Sequence, residues 1–151
     1  MSILDEMLFA RSSKLYQSLI ERDLISPSLS YGYTISEAFA YHSISGEAAD
    51  PRLVLAEVRA YLDQKAKEGL SQADFERARR VMYAEFVKSF DSTDNIANNL
   101  LSFVCEDSEL LHYAETLMDI TFEEVKTYFE VAFRKECTAL SVILPLTSSE
   151  Q

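Results

Sequence analysis

Glycine and proline are scarce in this chain, three of each, which argues against a loop-rich or many-turned all-β fold. Basic residues are also few: 14 Lys and Arg stand against 25 Asp and Glu, a formal net charge of −11. That balance repels phosphate backbones and anionic lipid, so neither nucleic acid nor a membrane surface is an expected partner. No apolar run approaches the roughly 20 residues needed to span a bilayer. Asp5 and Glu6 precede Met7-Leu8-Phe9, which is wrong for the basic start of a signal peptide. Of the two cysteines, Cys105 and Cys137, neither has a Cys or His at ligand spacing. One disulfide is a possible reading, but two buried or half-buried free thiols are favoured. They suit a reducing cytoplasm, the expected compartment.

Chemistry-bearing motifs are missing too. His42 and His112 are the only histidines, and neither sits in H-E-x-x-H or its inverse H-x-x-E-H, where two imidazoles share one helical face to bind zinc. His112 and Glu115 form an i, i+3 pair, too few ligands for a metal site. His42 reads as packed or hydrogen-bonded on the small-residue face of a strand. The sequence has no G-x-S-x-G, no P-loop and no G-x-G-x-x-G. Its carboxylates fall at helix starts or on polar faces, where solvation and the helix dipole explain them. Read by its residues, the chain shows no catalytic or zinc motif.

What is present is 151 residues with 48% hydrophobic side chains, enough for one domain with a sizeable core. The central stretch Leu70 to Phe103 carries two amphipathic helices joined by a polar corner, Phe90 to Asp94. Ser71 with Asp74 is a helix-start signal, and Phe75, Ala78, Met82, Phe86 and Phe90 then recur at helical spacing. A second stripe follows in Ile96, Leu100, Phe103 and Val104. These two stripes are the expected core.

Around them, Ile3 to Ile20 reads as helix broken near Arg11-Ser12-Ser13, with Ser12 or Ser13 capping a helix from Lys14 to Asp23. Pro27 ends it. Alternation from Leu29 to Ile35 and from Phe39 to Ile44 predicts a hairpin. Tyr31, Tyr33, Phe39 and Tyr41 are placed on its aromatic face. Asp50-Pro51 opens another helix, which Gly69 ends as a left-handed cap. Asp107 and Ser108 restart a helix over 109–117, and Thr121 with Glu124 makes a capping box. TALSVIL, residues 138–144, reads as a strand stopped by Pro145, with Thr147 to Gln151 as a tail. Few strands set apart from a helical block predict an α+β fold, a mainly antiparallel sheet with helices on one face.

Several of these runs together resemble the pitrilysin/insulinase family of zinc metallopeptidases. Gly69-Leu70-Ser71, Asp74-Phe75 and Arg77-Ala78-Arg79 match a helix start of that family, and Ser89 to Ser92 match the corner after it. Ile120-Thr121, Glu124 and Val125 match a later helix start, and Leu140, Val142, Ile143 and Pro145 a closing strand. Arg11 to Leu19 and Ala49-Asp50-Pro51 resemble two further helix starts. The likeness spans nearly the whole chain, so residues 1–151 are expected to be a single LuxS/pitrilysin-like α+β domain, truncated at its start and part of a longer chain.

The resemblance implies a clamshell peptidase whose amino-terminal domain bears H-x-x-E-H and zinc. This chain lacks the motif and resembles a carboxy-terminal, non-catalytic domain of the smaller bacterial YmfH-like kind. Implied partners are a zinc-bearing peptidase domain or subunit and a peptide substrate. An alternative is a catalytically inactive protein-interaction module of the same fold. The family holds substrate with an Arg and a Tyr near the corner between the first helix and the next strand. Here Ile20 and Ser26 occupy those positions, and Arg22 and Tyr31, with Tyr33 beside them, replace them only across an insertion at Ser26-Pro27. Read by residues alone, Arg22 is a surface group and Tyr31 packs the sheet. The truncated start also leaves sheet edge and apolar surface uncovered, so the isolated chain is expected to self-associate.

Overall fold

The computed structural model describes residues 2–36, 38–105 and 110–144. Helices α1 (Ser2–Phe9) and α2 (Lys14–Glu21) lead into a hairpin of β1 (Ser30–Ile35) and β2 (Ala40–Ser45). Then come α3 (Pro51–Glu68), α4 (Gln72–Lys88), a 3-10 turn (Ser89–Asp91), α5 (Thr93–Cys105), α6 (Leu110–Asp119), α7 (Phe122–Ala132) and a second 3-10 turn, Lys135–Cys137. The fold is α+β, with an antiparallel two-stranded sheet among the described residues.

The molecule is built around α1. Every residue from Ile3 to Ala10 is buried, as expected of a helix that is apolar on nearly all sides. Its neighbours are α4, β1, α2 and α7. Ile3, Leu4, Leu8 and Phe9 lie at the centre, and each such side chain stabilises the fold by about 1.5–3 kcal/mol on burial. The core is therefore not the pair of central helices. On α4, Phe75 and Ala78 are buried, Met82 and Phe86 are half-buried, and Phe90 is exposed. The stripe fades toward the corner because α1 is only 8 residues long, about 12 Å, and covers only part of α4. Ile96 is half-buried; the side chains of Leu100, Phe103 and Val104 lie outside the described set.

Helix starts are set by side-chain caps that satisfy orphan backbone donors. Ser13 accepts from the Tyr16 N–H at 3.1 Å, Ser71 from Asp74 at 3.3 Å, and Asp50 from Arg52 and Leu53 at 3.0 and 3.1 Å. Thr121 and Glu124 form the reciprocal capping box. Gly69 does end α3 at positive φ, but with φ 84° and ψ 166°. That is not the left-handed helical cap expected; it is an extended region open essentially only to glycine.

The hairpin register corrects the expected faces. Ile35 pairs with Ala40, Tyr33 with His42 and Tyr31 with Ile44, so odd residues of β1 share a face with even residues of β2. Tyr31 and Tyr33 thus lie beside His42 and Ile44. Tyr41 and its stacked neighbour Phe39, 6.0 Å between ring centroids, belong to the outer face with Thr34. His42 lies on the aromatic inner face, not the small-residue one.

Residues 138–144 correct a second expectation. They form no strand; among the described residues no sheet edge pairs with them. Leu140, Val142, Ile143 and Leu144 are exposed, Ile143 at 96%. Asp107, Ser108, Pro145 and the 147–151 tail lie outside the described residues, so the helix restart, strand stop and tail placed there do as well. Cys137 is a free thiol but an exposed one, standing in a surface turn rather than in the core; the Cys105 side chain lies outside the described set. Among the described residues, no helix is long and apolar enough to cross a membrane.

Candidate functional site

Two adjacent acids on the buried helix α1 organise the polar interior. Asp5 is 1% exposed and Glu6 8%, and charged groups are rarely buried so deeply without partners. Tyr31 of β1 donates its hydroxyl hydrogen to Glu6 Oε2 at 2.5 Å, and Arg77 of α4 approaches Oε1 at 3.7 Å. The same guanidinium donates to Ser12 Oγ at 2.6 Å. Burial pushes the Glu6 carboxyl above its usual range, and nearby Glu85 adds to this. The Tyr31 hydrogen bond and Arg77 act the other way. Burial, and then Glu6 itself, push the Tyr31 phenol up as well.

Asp5 faces the other strand. Its Oδ1 lies 2.6 Å from His42 Nδ1, and His42 Nε2 lies 3.0 Å from the Tyr128 hydroxyl of α7. Asp5 Oδ2 is buried with no hydrogen-bond partner among the described residues. Three rings surround the imidazole: Phe133 at 4.8 Å, Tyr33 at 4.9 Å and Tyr128 at 5.7 Å between centroids. The Tyr128 phenol is raised, first by burial and then by its hydrogen bond with Tyr33. One imidazole and one phenol therefore tie β1 and β2 to α1 and α7.

Of the residues singled out from sequence, Tyr31 and Tyr33 lie side by side on the inner face of the hairpin. Arg22 does not join them there. It caps the end of α2 and pairs with Glu57 of α3 at 2.8 Å, an exposed contact that raises the guanidinium and lowers the carboxyl from their ordinary values. Sequence reasoning missed Asp5, Glu6 and the role of Tyr128. The available signal was an acid pair inside an otherwise apolar helix.

Zinc needs three or four His, Cys or carboxylate ligands converging on one point. Among the described residues no group of three or more such side chains is placed to hold a metal ion. Asp5 and His42 contribute two ligand types, but both imidazole nitrogens are engaged. The described residues do not fit a zinc centre.

The polar interior thus pins the hairpin to the buried helix α1 through Tyr31 on Glu6 and His42 on Asp5. Comparison with known proteins gives the chain a family. The family described as the Peptidase M16 inactive domain matches residues 1–82, more than half of the chain, and the chain belongs to that family. This is the family of the pitrilysin/insulinase resemblance. The chain is 26% identical over 145 residues to YmfH of Bacillus subtilis (strain 168), named an uncharacterized zinc protease, covering 96% of this chain and 34% of that one. Among solved structures, an M16-like peptidase from Alicyclobacillus acidocaldarius superposes with a TM-score of 0.78 at 26% identity, over 86% of this chain and 31% of its own. A protease from Helicobacter pylori gives 0.72 at 16% identity, over 88% and 33%, and shows the fold alone. The chain spans about a third of the length of these relatives.

Proposed function

We propose that residues 1–151 are one non-catalytic domain that forms part of the chamber of a zinc-dependent peptidase and accommodates its peptide substrate. Peptide-bond hydrolysis is carried by a separate zinc-bearing domain or subunit with the H-x-x-E-H motif, where the metal would activate water. The observation that supports this most is the division of labour in the hairpin. Its inner face is committed to α1 and α7 through Tyr31 and His42, while Phe39 and Tyr41 of the outer face remain 55% and 51% exposed. Beyond the hairpin pairing itself, no other strand of the described residues covers its edges, and an extended peptide can add to such an edge.

Arg22, Tyr31 and Tyr33 are the proposed substrate contacts. Arg22 is the accessible member, and would exchange Glu57 for a peptide carbonyl or carboxylate. The exposed thiol of Cys137 suits a reducing compartment, and the cytoplasm is the proposed location.

The test is to tag the protein in its source cells and purify it under native conditions. An H-x-x-E-H sequence in the same polypeptide, or in a stoichiometric partner, together with peptide hydrolysis that a zinc chelator abolishes, is the expected result. A second reading, an inactive module that docks folded proteins, draws on the exposed Leu101, Met118 and Val131. Tight binding to a folded partner lacking that motif, with no affinity for extended peptides, would establish it instead.

A further inference from the structure

A cleft of about 260 Å³ opens between α2 and α3. Arg22, capping the end of α2, closes on Glu57 of α3. Lys14, at the start of α2, lines the cleft together with Lys65 and Glu68 from the end of α3. Leu15 and Ala60 supply its apolar lining. The acceptors of this cleft are taken and its donors are not. Glu57 is held at both oxygens by the Arg22 guanidinium, 2.9 Å at Oε1 and 2.8 Å at Oε2, the two-point geometry that best matches a carboxylate. Glu68 Oε1 accepts from Gln64 Nε2 at 2.8 Å. Lys14 has no carboxylate within ion-pair distance among the described residues, and Lys65 stands 5.5 Å over the Tyr61 ring without one. The hydroxyls of Tyr61 and Ser18, which also line the cleft, have no hydrogen-bond partner among the described residues. Asp74, the acid that bears on Tyr61 from α4, is 3.9 Å from Arg77.

With Arg22 and Glu57 cancelling, Lys14 and Lys65 against Glu68 leave the cleft one positive charge ahead, in a chain whose net charge is −11. Ammonium and hydroxyl donors around an apolar patch suit an anionic acceptor on a short apolar stem. Ligand pockets usually enclose about 300–1,000 Å³, so a cleft of this size suits a group of about one or two amino-acid residues rather than a cofactor. We propose that the cleft between α2 and α3 binds a carboxylate, either an acidic side chain of a peptide or a free dicarboxylate of similar size. Lys14 and Lys65 hold its oxygens, Tyr61 and Ser18 add hydrogen bonds, and its stem lies against Leu15 and Ala60. Such binding needs neither zinc nor a peptidase partner, and it stands or falls apart from the chamber role.

Calorimetric titration of the natively purified protein tests this with three probes: the blocked peptide acetyl-Gly-Glu-Gly-Glu-Gly-amide, the same peptide with Gln in place of Glu, and glutarate. The glutamate peptide should bind at least about tenfold tighter than its glutamine counterpart, as hydrogen bonds to charged groups predict, and the difference should shrink as salt is added. Glutarate binding tighter than the glutamate peptide assigns the cleft to a free dicarboxylate; weaker binding assigns it to a peptide side chain. Lys14→Gln combined with Lys65→Gln should lose the discrimination and the glutarate affinity. Lys88→Gln combined with Lys126→Gln removes the same charge from α4 and α7 and should keep both. Should the first pair fail to fold, Lys14→Gln alone, at an exposed position, should weaken the carboxylate probes and leave the glutamine peptide unchanged. Equal affinity for the two peptides with no binding of glutarate overturns the proposal, as does carboxylate binding that survives loss of Lys14 and Lys65.

Discussion

Tyr31 on β1 and Glu6 on α1 are joined by a 2.5 Å hydrogen bond in which the phenol donates to a nearly buried carboxylate. Glu6 is held above the ordinary carboxyl value of 4.5, mainly by its burial. A carboxyl raised on folding binds its proton more tightly in the folded state. Its contribution to stability is present below 4.5 and is lost as pH rises through the folded value. Unfolding free energy from urea titrations should therefore fall over that interval, and Glu6→Gln should flatten the fall. Tyr31→Phe removes a donor from a buried charge and should cost about 1–3 kcal/mol at neutral pH. An unchanged pH slope in Glu6→Gln would show that the carboxylate is not the source.

The short α1 makes the α4 stripe unequal along its length, and this too is measurable. Phe75 is 2% exposed, packs on Phe122 at 5.6 Å and lies under the Arg79 guanidinium at 5.2 Å. Phe75→Ala should lose about 3–5 kcal/mol in chemical denaturation. Val131 on α7 is 59% exposed, and Val131→Ala should change stability by no more than about 0.5 kcal/mol. Comparable losses at the two sites would contradict the placement of the core around α1.

Helix starts were legible in the sequence because capping is local. Ser13, Asp50, Ser71 and Thr121 each serve a donor two or three residues away, and no distant contact is needed to recognise them. The same locality explains the failures. Which face of the hairpin carries His42 depends on Ile35 pairing with Ala40, a register set by a turn whose length pattern alone misjudged. Whether residues 138–144 become a strand depends on a partner edge, which the run TALSVIL cannot supply by itself. In the sequence Asp5 and Glu6 served only to exclude a basic signal-peptide start, and they became a buried anchor once Tyr31, His42 and Arg77 had converged from three other elements. The family resemblance rested on those same helix starts together with the corner at Ser89 to Ser92 and the run from Leu140 to Pro145.

Arg22 offers a separation between structural and binding roles. Its pair with Glu57 is exposed, 47% and 31% by side chain, and such pairs are weak contributors. Arg22→Ala should leave the thermal midpoint within measurement error. If Arg22 contacts substrate, the same change should weaken binding of an extended peptide in calorimetry. Equal affinity in the two proteins would remove Arg22 from the proposed contact set, while a lowered midpoint would make its role structural.

The apolar run at 138–144 presents Leu140, Val142, Ile143 and Leu144 to solvent, and the hairpin is paired only with itself among the described residues. Extended apolar segments and open strand edges are templates for pairing between chains. The net charge of −11 opposes this over long range, so association should strengthen as salt screens the repulsion. Light scattering of the isolated chain should show mass rising with concentration and with added salt. Replacing Val142 and Ile143 together by Ser removes two side chains worth about 1.5–3 kcal/mol each if fully buried. Where pairing buries them, association should weaken at least about tenfold. A monodisperse monomer at high concentration and high salt would show that this surface does not pair with itself.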